Sequence, residues 1–151
     1  MPKRNLNDFT PIEEGTQSSF VSEENTRKHI GNNPDRLHCR RYHVDGYILK
    51  SQDGNKCDYL LVNDDGKDAY FIELKGGEID DAPKQLEASI EALKDSLKGY
   101  CFFQRIVCSK AGTHKMNGSV ILQWKRRYNG KQHGQQIAII KEAQLTDLMV
   151  R

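Results

Sequence analysis

The stretch "KCDYLLVNDDGKDAYFIELKG", residues 56–76, decides the fold. Two apolar runs flank a polar centre that contains Asp65-Gly66. That pair is the strongest two-residue hairpin signal, because a type I′ turn needs positive φ at both central positions. With those two residues as the loop, Asn63 faces Asp68, Leu61 faces Tyr70, Tyr59 faces Ile72 and Asp58 faces Glu73. Directly opposed residues project from one side of a sheet with Cβ atoms about 5 Å apart. Lys75 shares that side through the strand period of two.

Two carboxylates and an ammonium therefore stand at one end of a face whose other members, Leu60, Val62 and Phe71, are apolar. The opposite face, Tyr59, Leu61, Tyr70, Ile72 and Leu74, is apolar too, so the hairpin is expected to be covered on both sides. Opposed like charges in a partly buried place are unfavourable unless compensated. A divalent cation compensates them, and Mg²⁺ prefers one or two carboxylates completed by waters and substrate phosphates. The bland alternatives are that Lys75 neutralises one carboxylate as a salt bridge, or that a bulge breaks the register.

Working outward, residues 1–17 carry Pro2, Pro11, Gly15 and scattered charge and read as a flexible N-terminal arm; residues 18–151 read as one domain. "SSFVSEENTRKHI" (18–30) reads as a helix with Ser18 or Ser19 as cap, stopped by "GNNPD". "RLHCRRYHVDGYILKS" (36–51) reads as one long interrupted strand with a bend at Asp45-Gly46. "DDAPKQLEASIEALKDSLKG" (80–99) is a helix with Pro83 in its first turn, a stripe of Leu86, Ile90, Leu93 and Leu97, and Gly99 at its end. "YCFFQRIVCS" (100–109) is a strand. "NGSVILQWKRRYNG" (117–130) fits a helix or a strand, with Trp124 a core residue in either case. "QQIAIIKEA" (135–143) is a last strand, and "AQLTDLMVR" (143–151) reads as a closing helical turn. The order α-β-β-β-α-β plus additions implies an α/β fold with a mixed sheet flanked by helices.

A chain of 151 residues holds one domain with a real core. At 36% hydrophobic and 29% charged residues it has a well-wetted surface, and no apolar run approaches a membrane span. The first fifteen residues contain no apolar segment of the secretory type. Cys39, Cys57, Cys101 and Cys108 lack zinc-site spacing and read as reduced thiols, consistent with a cytoplasmic protein. His29, His38, His43, His114 and His133 show no paired metal spacing and read as surface or satisfied polar residues. Neither a phosphate-binding P-loop nor a nucleophile-elbow motif is present.

Charge is unevenly spread. Residues 51–95 contain twelve Asp/Glu against five Lys/Arg, whereas residues 96–141 contain nine Lys/Arg and no acidic residue. An acidic middle followed by a one-signed basic stretch suits a metal site beside a polyanion-binding surface, though two oppositely charged solvated faces produce the same pattern. Lys125, Arg126, Arg127 and Lys131, with Trp124 and Tyr128 among them, are the densest part of the basic stretch.

Asp58, fourteen intervening residues and then Glu73-Leu74-Lys75 resembles the PD-(D/E)XK nuclease superfamily, whose signature is Asp…(Asp/Glu)-X-Lys on a β-hairpin. Cys57 precedes Asp58 where the pattern has Pro, and Ser89 occupies the position where some exonuclease-like members place Tyr four residues after a Gln, here Gln85. The resemblance implies a restriction-endonuclease-like core and hydrolysis of phosphodiester bonds, with DNA the expected substrate and the choice between DNA and RNA left open by the sequence. In that reading Asp58, Glu73 and the Leu74 carbonyl hold Mg²⁺, for which Mn²⁺ can substitute, and Lys75 orients the attacking water. Glu24 (or Glu23) and Gln85 are candidate accessory residues, and the basic stretch contacts backbone phosphates. The alternative is a non-catalytic nucleic-acid-binding module, or a subunit of a defence or repair complex on the same fold. So short a chain leaves specificity to nucleic-acid structure or ends, to a homodimer or to a partner protein.

Overall fold

Two strands with apolar residues on both faces need cover on both sides, and that requirement organises the molecule. The computed structural model describes residues 2–151; the side-chain surroundings of residues 111, 112 and 114 fall outside that description, and with them the reading of His114. The strands are β1 Glu13–Gly15, β2 Ser19–Glu24, β3 Arg27–Asn32, β4 Cys39–His43, β5 Tyr59–Asn63 and β6 Asp68–Lys75. Helix α1 (Ala82–Leu93), β7 (Cys101–Cys108) and α2 (Ser119–Arg127) follow, then β8 Lys131–Gln132, β9 Gln135–Gln136, β10 Ala138–Glu142 and β11 Gln144–Leu148. The central sheet has the order β1-β4-β5-β6-β7-β10. It is mixed: β1 to β6 pair antiparallel, and β6, β7 and β10 run parallel. A second sheet, β11-β3-β2, covers one face, and α1 and α2 cover the other. Each face of the β5–β6 hairpin lies in its own core cluster. Leu60, Val62 and Phe71 belong to the helix side, and Leu61, Tyr70, Ile72 and Leu74 to the second-sheet side.

The β5–β6 register is the one read from the sequence, from Asn63 opposite Asp68 to Tyr59 opposite Ile72. The turn is not. It spans four residues, and the left-handed residue is Lys67 (φ 59°) rather than Gly66. Gly66 is required for a different reason: a Cβ there would lie 2.0 Å from the Val150 carbonyl oxygen. The N–H of Gly66 donates to Asn63 Oδ1 (3.0 Å), and Asn63 Nδ2 donates to Val150 O (2.8 Å), so the loop is shaped by the chain's far end.

Helix α1 follows its pattern. Pro83 lies in the first turn, Leu86 and Leu93 are buried, and Ile90 is half-buried. Its last expected turn is a 3₁₀ segment, Lys94–Leu97, closed by left-handed Gly99 (φ 86°). Each fully buried leucine contributes about 1.5–3 kcal/mol. The ambiguous segment is helix α2, with Trp124 in the core donating its Nε1–H to Gln104 Oε1 (2.8 Å).

Four expectations fail. The helix over 18–30 is the β2–β3 hairpin, turning at left-handed Asn25 (φ 54°). Its inward residues alternate as Phe20, Ser22, Arg27, His29 and Gly31, and the polar ones among them hide the strand period from a hydrophobicity reading. The long strand over 36–51 is only β4, after which Gly46 (φ 87°) turns the chain by donating to Leu49 O (2.8 Å). The closing helical turn is strand β11, with Leu145 and Asp147 inward and Met149 buried just beyond. Finally, the N-terminal arm is packed: Leu6 is buried, the Arg4 N–H donates to Ala92 O (2.9 Å), and β1 pairs with β4. All four cysteines are free thiols, and among the described residues no helix is long and apolar enough to cross a membrane.

Candidate functional site

Glu73 and Lys75 lie at the C-terminal end of β6, on the helix side of the central sheet beside Ile106 and Cys108 of β7. Asp58 reaches them from just before β5. Here the ladder stops at the Tyr59–Ile72 pair; Asp58 forms a bend, its N–H donating to Ile72 O (3.1 Å) and its carbonyl accepting from Val44 N–H (2.9 Å). The preceding Cys57 is fixed by α1, its N–H donating to Ser89 Oγ (2.8 Å). Ser89, where some exonuclease-like sequences have Tyr, thus carries a short hydroxyl that anchors the Asp58 segment. Asp58 Oδ2 accepts the Leu74 N–H (2.8 Å), which brings its carboxyl within hydrogen-bonding reach of Glu73. Lys75 Nζ lies 4.0 Å from Glu73 Oε2. The three signature residues converge.

Burial dominates the electrostatics of this cluster. Glu73 is 3% exposed, and its Oε1 has no hydrogen-bond partner. Burial pushes its carboxyl well above the ordinary range, the Asp58 charge adds to the push, and Lys75 opposes it without cancelling it. Burial also raises Asp58, to about 6; the Leu74 N–H opposes that shift and the Glu24 charge adds to it. A cleft of about 240 Å³, lined by Glu24, His43, Asp45, Asp58 and Tyr59, opens beside the pair.

Glu24 therefore reaches the site, from the end of β2 rather than from a helix. Gln85 lies one turn before Ser89 on the same stripe of α1, and its Oε1 is buried without a partner rather than solvated. Asp45 and His43 were not anticipated; only their neighbourhood in the fold reveals them.

The basic stretch is divided. Arg105 is fully buried: its Nε donates to Asp147 Oδ2 (2.8 Å), and its other nitrogens donate to the carbonyls of Gln104, Gln136 and Ile137. Lys115 pairs with Glu78 (2.8 Å) and Asp80 (3.4 Å). These two are not free to contact phosphate. Arg126 and Lys131 are exposed, Lys125 is half-buried, and Arg127 lies 3.4 Å from Glu87. Helix α2 starts near the Glu73 end of the sheet, beyond Lys115, and runs away from it. The β8–β9 hairpin bearing Lys131 contacts Asp68 at the opposite end of β6, five residues and about 16 Å from Glu73. The structure does not bring Lys125, Arg126, Arg127 and Lys131 to the carboxylate pair.

A carboxylate and carbonyl donor set suits a hard cation such as Mg²⁺, and the unpartnered Glu73 oxygen beside a second carboxyl fits that charge. No group of three or more His, Cys, Asp or Glu side chains among the described residues is arranged to hold a metal ion. Searches against family models, curated proteins and solved structures return no match for this chain.

Proposed function

We propose that this protein is a metal-dependent nuclease of the restriction-endonuclease-like type, hydrolysing phosphodiester bonds in DNA. The observation that carries the reading is the convergence of Asp58, Glu73 and Lys75 at the end of β6 with one Glu73 oxygen unpartnered. In this reading Asp58, Glu73 and the Leu74 carbonyl hold Mg²⁺ or Mn²⁺. The bound ion supplies Lewis-acid polarisation of the phosphate and a lowered pKa for a bound water. Asp58 is kept in place by the Leu74 N–H, so its orientation does not depend on the ligand. Lys75, too far from Glu73 for a tight pair, points its charge where it can orient the water and offset negative charge as the phosphorus–oxygen bond breaks. Glu24, Asp45 and His43 border the approach through the adjoining cleft.

The first element departs from the resemblance: a β-hairpin stands in place of a helix and still delivers Glu24. The test is incubation with circular single- and double-stranded DNA in Mg²⁺ or EDTA, beside thermal melts in the same buffers. Mg²⁺-dependent loss of circles and a raised melting temperature are expected. Intact circles with no Mg²⁺-dependent stabilisation would falsify the enzyme reading.

A further inference from the structure

Arg27 opens β3 on the inner side of the second sheet, and its guanidinium reaches the Gly76 backbone just beyond Lys75. A Cβ on Gly76 would stand 3.5 Å from Nη1 and 3.7 Å from both Cζ and Nη2. Arg27 is only 7% exposed, and its Nε has no hydrogen-bond partner. Among the described residues none forms an ion pair or hydrogen bond with it. That includes Glu24, which stands opposite in the β2–β3 ladder. A guanidinium stays charged at any accessible pH. A guanidinium with a buried, unpartnered Nε and its other nitrogens at an exposed edge is only partly solvated, and native structures commonly complete such a group with an ion pair, a ligand or water. Arg105, the other buried arginine, has every partner that Arg27 lacks.

The backbone edge beside the guanidinium is open to solvent. Gly76 and Gly77 are exposed, and nothing lies within 4 Å of a Cβ on Gly77. Ser109 fixes this edge: its N–H donates to Lys75 O (3.0 Å), and its hydroxyl donates to Gly76 O. We propose that Arg27 and the Gly76 edge form an oxyanion subsite that takes a backbone phosphate of the bound strand, beside the bond served by Asp58, Glu73 and Lys75. The planar fork of the guanidinium matches two phosphate oxygens. The identity of the anion rests on the nuclease reading; the unpartnered guanidinium does not.

The test compares wild type with Arg27→Met, which keeps the volume and removes the charge, and with Arg27→Lys. Melts are run in EDTA with and without inorganic phosphate. Binding of a labelled single-stranded oligonucleotide is followed across a salt series, and cleavage is measured in Mg²⁺. Without anion, R27M melts at or above wild type, because an unpartnered buried charge has been removed. It loses the phosphate-dependent stabilisation and binds the oligonucleotide on the order of tenfold more weakly. Its salt slope is shallower by about one, and KM rises while kcat stays within about threefold. R27K retains part of the phosphate response. Unchanged phosphate stabilisation and salt slope in R27M overturn the inference, as does a variant that melts well below wild type yet binds normally when folded. A wild type that cleaves no nucleic acid but responds to phosphate through Arg27 removes the nuclease reading and keeps the subsite. Cleavage with the same KM in R27M does the reverse.

Discussion

Glu73 and Asp147 are both buried carboxylates, 3% and 6% exposed, and their surroundings drive them in opposite directions. Desolvation alone would raise Asp147. The hydrogen bonds and charges of His29 (2.8 Å) and Arg105 (2.8 Å) outweigh it and hold the group below the usual carboxylate range. Around Glu73 desolvation prevails: Asp58 adds like charge, Lys75 stands at 4.0 Å, and one oxygen has no partner. The first network is closed and its partners all come from the fold. The second lacks enough positive charge, so its carboxyl is pushed toward the protonated form; under the nuclease reading a bound cation would supply the missing charge. Burial alone does not set the state of a carboxylate; the completeness of its partners does.

The largest effect expected from this comparison is on stability. Asp147→Ala leaves Arg105 buried and uncompensated, and should cost about 3–5 kcal/mol, read as a lowered denaturant midpoint. Glu73→Gln, at an equally buried position, should melt at or above wild type in EDTA and lose any stabilisation by Mg²⁺. A destabilised Glu73→Gln would make the two carboxylates alike and break the contrast.

Next in size is catalysis. Lys75→Ala should lower cleavage by about 10²–10³-fold, the usual loss for a positioned transition-state group, with the melting temperature and Mg²⁺ response almost unchanged. Should Lys75→Ala instead unfold the protein, the corner is an internal salt bridge like the one at Asp147.

A moderate effect is expected from pH. Both Asp58 and Glu73 have folded-state pKa values above those of the unfolded chain, so the folded state binds the extra protons. Their stabilising contribution is complete below about pH 4 and is lost as pH rises, through about 6 for Asp58 and further up for Glu73. In EDTA, melting temperature attributable to this pair therefore falls from about pH 4, through about 6 for Asp58, to about 9 for Glu73. Glu73→Gln flattens the fall and Mg²⁺ reverses part of it. A pH profile identical in wild type and Glu73→Gln would mean that the corner does not titrate.

The smallest structural effect is on the far surface. Arg126→Glu with Arg127→Glu removes only a half-exposed pair with Glu87, so stability should shift by less than about 1 kcal/mol. If these residues contact nucleic acid, binding weakens and its salt slope drops by about one per lost contact. Unchanged binding of a long duplex would place the interface near Arg27 and the Asp58 cleft.

Glu73 and Lys75 were legible because they stand at the end of an otherwise apolar strand of a local hairpin, and Asp58 because it immediately precedes the paired strand. Both faces are apolar and covered, so a slip of one residue would still bury Leu60, Val62 and Phe71; the register follows instead from where the polar turn is centred. The turn type was misread although the register was right, since Gly66 answers to the distant Val150 carbonyl rather than to its own loop. Arg27 was illegible. In the sequence it is one charge in a segment with helical offsets, and only the folded chain shows that it is inward and alone.

By itself the sequence determined the β5–β6 pairing, helix α1 with Pro83 in its first turn, the apolar strand β7, and the places of Glu73 and Lys75 at the end of β6, while Asp58 stands just outside the ladder in which the sequence reading puts it. These rest on interactions between near neighbours, for which period and turn chemistry suffice. Tertiary structure decided the second sheet, the docking of the N-terminal residues, and which charges are closed off or left open. Strands β2, β3 and β11 turn Ser22, Arg27, His29 and Asp147 inward, against a hydrophobic reading. The inward places of His29 and Asp147 are tolerable only because these residues, 118 positions apart, meet across β3 and β11, with Arg105 closing the network. A polar residue can be buried where its partner is, and that partner's position is fixed by the whole fold rather than by the neighbouring sequence.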